Sequence, residues 1–340
     1  MTPSTPPSPE NPPRPRRTRL APSPTGSLHL GHARSFLLTW ALARTQGWEI
    51  LLRLEDLDRE RVKPGSIDET RATLDWLGLQ CDGPTSIQSE HVERFREAMR
   101  RLADQRRVFR CDRSRKDVRM ASSAPHRDDT EVRYAPSLRP IARPDDDPYR
   151  FDRDDANHRL QVEPGEEMVL DELQGPSTFD PSAEVGDFLV WTKLGVPSYQ
   201  LAVMVDDAHQ GITDVVRGED LLGSAARQQL LYRALNATPP RWWHLPLVYD
   251  SQGERLAKRR GDTGLTALRS AGVPSERVIG LIAYWSGLGH HSSGGPTEIS
   301  LADFQPMVTP DTLRRLAQRE RTPSSRCTAS EESISWLLNR

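Results

Sequence analysis

Residues 17–54 read RTRLAPSPTGSLHLGHARSFLLTWALARTQGWEILLRL, and their pattern decides the fold. Arg17–Ala21 is a short strand candidate, and Pro22–Gly26 is a loop rich in Pro, Ser and Gly. From about Leu30 to Gln46 apolar residues recur on helical faces through Phe36, Leu37, Trp40, Ala41 and Leu42, and Gly47 is a stop signal. Glu49–Leu54 then reads as a buried strand that runs into Glu55-Asp56-Leu57-Asp58. Strand, loop, helix and strand make one βαβ unit, the building block of a parallel sheet.

Outward from that unit the rhythm continues with helices around 66–77 and 89–106. Residues 107–165 interrupt it with a polar stretch rich in Arg, Asp and Pro, read as the core of an insertion that reaches about 188. Regular patterning resumes at Asp187–Lys193, Tyr199–Val205 and Gly211–Val216, followed by a helix over 220–235, a strand over 245–249 and helices over about 265–289. Residues 301–340 read as helical with polar breaks. The expected division is a Pro-rich tail (1–16), the first half of a catalytic domain (17–106), the insertion (107–188), the second half (189–250), and a loop with a helical region (251–340). Seven prolines in the first sixteen residues give that tail little to bury, so it is expected to be disordered.

Composition narrows the function classes. The chain has 340 residues, 46 basic and 48 acidic, with a formal charge of −2. No apolar run is long enough to span a bilayer, and no signal-peptide or transit-peptide pattern opens the sequence, so a cytoplasmic protein is expected. Three distant cysteines, Cys81, Cys111 and Cys327, do not make a disulfide framework. Lysine stands only at 63, 116, 193 and 258, against 42 arginines.

Two segments carry chemistry. In RLAPSPTGSLHLGH (19–32), His29 and His32 sit three apart at a helix start, where unpaired N–H groups and the helix dipole favour phosphate. Gly31 between them leaves room for a flat ring near the backbone. GERLAKRRGD (253–262) is a polar loop whose Lys258 ammonium can follow charge on a phosphate oxygen. Alone, the first could be two capping histidines and the second a solvated basic loop.

Together they resemble the HIGH and KMSKS signatures of class I aminoacyl-tRNA synthetases, the second being close to the KLSKR of the glutamyl branch. The resemblance extends through RLAPSPTGSLHLGHAR, LLRLEDLDRER, PSYQLAVMVDDAHQGITDVVRGEDLL and HLPLVYDSQGERLAKR, in order, over most of residues 17–290. It implies an α/β fold with a Rossmann-like parallel sheet, a polar insertion and a small helical C-terminal region. Only 80 residues follow the second signature, too few for the anticodon-binding portion of a full glutamyl-tRNA synthetase. The resemblance is therefore to the truncated branch, the glutamyl-Q tRNA(Asp) synthetases, which attach glutamate to the queuosine base of the tRNA(Asp) anticodon.

From that resemblance Arg19, Ser23, Glu55, Tyr199 and Arg217 would bind L-glutamate. Glu55 would hold the ammonium, Arg19 with Tyr199 one carboxylate and Arg217 the other, with the order of the two carboxylates open. His29, Gly31, His32, Arg255 and Lys258 would bind ATP, and His29, His32 and Lys258 would stabilise charge during the reaction, with Mg²⁺ accompanying ATP. The expected partners are glutamate, ATP and the anticodon arm of tRNA(Asp), with no membrane and a monomeric state. Two other readings stay open: a minimal glutamyl-tRNA synthetase that charges 3′ ends, and an inactive tRNA-binding paralogue.

This sequence departs from the pattern in places. Ala257 replaces the usual serine of the second loop, and Arg255 its first lysine. Many relatives hold zinc in the insertion through Cys-x-Cys, a tyrosine and another cysteine. Here Cys111 and Tyr134 stand at two of those positions and Phe109 and Leu138 at the others, so zinc is not expected, even with His126 nearby. Residues 90–119 hold eleven basic and six acidic side chains, a face that could track RNA phosphates.

Overall fold

The computed structural model describes residues 15–113, 133–256, 264–289, 295–322 and 326–338. Strand β1 (Arg17–Leu20), helix α1 (Leu30–Thr45) and strand β2 (Glu49–Leu54) form the expected unit, with β1 and β2 parallel from Arg17↔Glu49 to Leu20↔Leu52. Gly47 ends the helix at φ +67°, a left-handed conformation that glycine adopts without a Cβ clash. Leu30, Ala33, Leu37, Leu38, Ala41 and Leu42 are all fully buried, so α1 lies inside the molecule rather than on its surface. Each such leucine contributes about 2 kcal/mol through burial.

Helix α2 (Ser66–Trp76) leads to β3 (Ser86–Ile87), which adds to β2, and α3 (Val92–Asp104) follows. Next, β4 (Val108–Arg110), β5 (His158–Leu160) and β8 (Phe188–Trp191) form a small antiparallel sheet. Between β5 and β8 in sequence, β6 (Glu167–Asp171) and β7 (Gly175–Phe179) make a hairpin. Helix α4 (Tyr199–His209), β9 (Asp214–Gly218), α5 (Leu222–Ala234) and β10 (Arg241–Leu245) complete the second half. The sheet order here is β7-β6-β10-β9, with β9, β10 and β6 parallel. The stretch 107–188 is therefore not wholly set apart, because its β6 pairs with β10. The two parallel sheets abut where Thr213 N–H donates to the Arg17 carbonyl at 2.9 Å.

Two expectations need correction. The strand placed at 245–249 lies at Arg241–Leu245, and Pro246, which has no N–H to give a ladder, stands directly after it. Arg16, assigned to the tail, belongs to the fold: its Nε donates to Asp214 at 2.9 Å and its guanidinium lies 4.2 Å from the Trp48 ring. Of the basic stretch 90–119, residues 114–119 lie outside the described residues, and several of the described arginines pair within the protein. Arg94 pairs with Asp206, Arg96 with Glu93 and Asp154, Arg100 with Glu93 and Glu97, and Arg106 with Asp147. Most of the tail, 1–14, and His126 lie outside the described residues.

Further elements are β11 (Tyr249–Asp250), α6 (Ser275–Trp285), α7 (Pro310–Arg319), β12 (Thr328–Ala329) and α8 (Glu331–Leu338), besides short helices at Pro181–Glu184, Leu265–Ser270 and Leu301–Phe304. Helix α6 packs its buried Ile279, Ile282 and Ala283 into the same core as α1. A second core, around Phe95, Val190, Leu201, Val215 and Trp242, lies on the other side of the sheets. Leu52 belongs to the first core and Leu51 to the second, as the period of two in a strand with both faces covered requires.

Candidate active site

A cavity of about 640 Å³ opens at the C-terminal ends of β1, β2, β9 and β10. In open parallel sheets ligands bind at that end. Its lining includes Arg19, Ser23, His29, Gly31, His32, Glu55, Tyr199, Arg217 and Arg255, so the described candidate residues converge on one space although they span 236 positions. Lys258 and Ala257 lie outside the described residues. The stretch that contains them, however, starts and finishes beside the first signature. A Cβ on Gly31 would lie 3.5 Å from the Leu256 carbonyl oxygen, and Gly264 bridges His29.

The first loop is fixed at both ends. Glu55 N–H donates to the Pro22 carbonyl at 3.0 Å, which ties the loop to the end of β2. His29 is the N-cap of α1: its Nδ1 accepts from Gly31 N–H at 3.1 Å, while the His32 Nδ1 accepts from His29 N–H at 3.3 Å. The two rings are tilted by 30° with centroids 3.8 Å apart, and His32 stacks on Phe36. The capping reading and the phosphate reading are thus compatible. An Nδ1 that accepts a hydrogen bond leaves the proton of the neutral ring on Nε2, so each ring carries an N–H donor suited to a phosphate oxygen. A side chain on Gly31 would press against His29 Cε1 at 3.0 Å, which explains the glycine.

Glutamate would need two cations and one anion, and the polar end of the cavity supplies that set. Arg19, 5% exposed, donates from Nε to Asp207 Oδ1 at 3.1 Å. Arg53 is fully buried and donates to Asp207 at 2.7 Å and to Glu55 at 3.1 Å. Burial raises the Glu55 carboxyl above its ordinary value, against the pull of Arg53 and Arg19. Burial acts the same way on Asp207, but Arg19 and Arg53 together hold it below the ordinary range. Arg217, 6% exposed, donates from Nε to His244 Nε2 at 3.0 Å, from Nη1 to Gln228 at 2.9 Å and from Nη2 to the Leu221 carbonyl at 3.1 Å. The Tyr199 hydroxyl is a further hydrogen-bond partner of the same guanidinium, which lines the cavity where a carboxylate could meet it. Tyr199 is 41% exposed and lines the cavity between these groups.

Arg53, Asp207, His244 and Asp171 had not been singled out from the sequence. The LLRL, VDDAH and HLP runs of the resemblance blocks contain three of them, Arg53, Asp207 and His244, without any role attached.

The zinc-type positions also come together, but around apolar contacts. Phe109, Cys111 and Tyr134 are buried in one cluster against Leu138 and Tyr149. The Phe109 and Tyr134 rings lie 5.8 Å apart, and the Tyr134 hydroxyl donates to the Leu138 carbonyl at 2.9 Å. Among the described residues no group of three or more His, Cys, Asp or Glu side chains could hold a metal. No described helix is long and apolar enough to cross a membrane.

Residues 16–293 match the family described as tRNA synthetases class I (E and Q), catalytic domain. The chain is 43% identical over 279 residues to the glutamyl-Q tRNA(Asp) synthetase of Symbiobacterium thermophilum, covering 79% of this chain and 86% of that protein. It is 38% identical over 300 residues to the enzyme of the same name from Rhodopirellula baltica, covering 83% and 88% respectively. A crystal structure of glutamate-tRNA synthetase from Elizabethkingia anophelis shares the fold, with a TM-score of 0.75 over 95% of this chain and 70% of that one, at 22% identity.

Proposed function

Because this chain belongs to the class I tRNA synthetases of the glutamate and glutamine group, in its glutamyl-Q tRNA(Asp) synthetase branch, we propose that it activates L-glutamate with ATP and transfers it to queuosine in the anticodon of tRNA(Asp). The observation that carries this reading is the convergence of Arg19, Glu55, Tyr199 and Arg217 with the two histidines on one cavity. Glu55 takes the substrate ammonium. Arg19 with Tyr199, and Arg217, take the two carboxylates. An α-carboxylate oxygen attacks the α-phosphorus of ATP, the bond to pyrophosphate breaks, and glutamyl-adenylate forms. A queuosine hydroxyl then attacks the acyl carbon, AMP leaves, and the hydroxyl proton passes to the leaving phosphate or to water.

No protein nucleophile is needed, so the residues act by position and charge. The Nε2–H donors of His29 and His32, with Lys258, meet the phosphates, and Gly31 lets the nucleotide approach the helix start. Arg255, whose Nη1 donates to Asp220 at 3.2 Å, stands at the same rim and completes the nucleotide set. Mg²⁺ bound with ATP would supply screening of the phosphate charge. The RNA partner is the anticodon arm, which offers the unstacked bases that RNA readers usually target. A cytoplasmic monomer and the five-part division of the chain belong to this proposal.

The test is glutamylation of tRNA(Asp) with and without queuosine, beside tRNA(Glu), with the product digested and labelled glutamate located by mass. Glutamate on the modified base alone is the expected result. Label on the terminal adenosine would favour a minimal glutamyl-tRNA synthetase. No glutamate-dependent pyrophosphate exchange at all would favour an inactive tRNA-binding paralogue.

A further inference from the structure

Behind Arg217 lies a buried chain of polar groups that the reaction does not itself use. His244, on β10, has no exposed surface. Its Nδ1 lies 2.6 Å from Asp171 Oδ2, at the end of β6, and its Nε2 receives the Arg217 Nε–H at 3.0 Å. Asp171 is held in turn by four donors. Leu173 and Gln174 N–H bind one oxygen at 2.9 and 2.8 Å, and His244 N–H and Nδ1 bind the other. Asp171 is acceptor-only when ionised, so the ring proton sits on Nδ1 and the Nε2 lone pair faces the guanidinium. A proton on Nε2 would set two donors against each other at 3.0 Å.

We infer that Asp171 and His244 are positioning residues that hold Arg217 by its Nε so that its guanidinium faces the cavity, and that this hold exists only while His244 is neutral. The inference rests on the reading of Arg217 as a carboxylate anchor. An arginine bonded at Nε, Nη1 and Nη2 is fixed in orientation against the cavity it lines, as a carboxylate anchor requires. The groups that face His244 are Asp171 from β6, Arg217 from β9 and Asp220 just beyond β9, with the Trp242 ring stacked 6.2 Å away. Burial and the charge of Arg217 favour the neutral ring, the Asp171 hydrogen bond opposes them, and the balance lies below the ordinary histidine value of 6.5.

The experiment is glutamate-dependent pyrophosphate exchange over pH 5–8, with KM for glutamate and for ATP measured separately in the wild type, His244→Leu and His244→Gln. Leucine removes the acceptor and should raise the glutamate KM about tenfold or more, with the ATP KM and kcat little changed. Glutamine restores an acceptor that cannot be protonated at Nε2 and should return the glutamate KM to within about threefold of wild type. In the wild type the glutamate KM should climb as pH falls below the ordinary histidine range. Glu55, whose carboxyl burial raises, titrates on the same limb, so the glutamine variant should keep that part and lose the part due to His244.

A glutamate KM that leucine does not move, or a glutamine profile that superimposes on the wild type, would overturn the inference. Should His244→Leu fail to fold, the glutamine profile decides alone. A wild type without glutamate-dependent exchange is a different result, and overturns the reading of the pocket itself.

Discussion

Arg53 has no exposed surface, yet it reaches three carboxylates: Asp207 at 2.7 Å, Glu55 at 3.1 Å and Asp206 at 3.9 Å. Removing one partner of a buried ionic set leaves the other charges desolvated and uncompensated. Arg53→Met should therefore lower the free energy of unfolding by about 3–5 kcal/mol, read by denaturant titration. An effect within experimental error would mean that Arg19 and Arg94, which pair with Asp207 and Asp206, compensate these carboxylates without it. Arg217→Ala has a different signature. It removes a carboxylate anchor, so the glutamate KM should rise far more than the ATP KM, whereas equal rises would mark a structural ion pair. The proposed carboxylate anchors, Arg19 and Arg217, were legible because their sequence blocks carry the resemblance. Their supports were not, since Arg53 finds Asp207 154 positions away and His244 finds Asp171 across 73. Local pattern cannot show such pairings.

At the scale of elements, the start of α1 serves two purposes through one set of atoms. The Nδ1 atoms of His29 and His32 close a capping box, and that closure orients the opposite edge of each ring. His32→Ala should cut glutamate-dependent pyrophosphate exchange about a hundredfold, the value of one charge-stabilising contact in a preorganised site. A thermal midpoint that falls steeply while exchange per folded molecule stays normal would assign the ring to capping alone. The cluster of Phe109, Cys111 and Tyr134 makes the opposite use of inherited positions, filling with rings a place where relatives are expected to bind metal. Purified protein should hold no stoichiometric zinc, and one zinc per chain by elemental analysis would require ligands outside this cluster.

Boundaries set by a strong period and a glycine, such as α1 and β2, were readable almost to the residue. Strand β10 differs from the expected 245–249 because the polar His244 interrupts the apolar residues Trp242, Trp243 and Leu245. His244 is buried only through the partners that the fold supplies.

Across the whole molecule, the C-terminal region is joined to the catalytic core by charge. Arg34 on α1 is 2% exposed and lines the cavity, and its Nη2 donates to Glu320, just beyond α7, at 3.3 Å. Glu320→Leu should leave that guanidinium unpaired in the core and lower the free energy of unfolding by about 3–5 kcal/mol. Differential scanning calorimetry checks this. Separate melting of the two regions in the wild type would show that the tie carries little.

The pairing of β11 with β12 has a consequence for the order of events during synthesis. Tyr249 and Asp250 lead into the second signature loop, and their parallel neighbours are Thr328 and Ala329, with Tyr249 N–H also bonded to the Cys327 carbonyl at 2.9 Å. These contacts close a loop of nearly eighty residues, an entropy that must be met before any local reward arrives. A nascent chain stalled before Ala329 leaves the ribosome would hold a finished βαβ unit, while the strand that feeds the signature loop still lacked its neighbour. The strand that leads toward the proposed nucleotide side of the pocket thus gains its neighbour only late in translation.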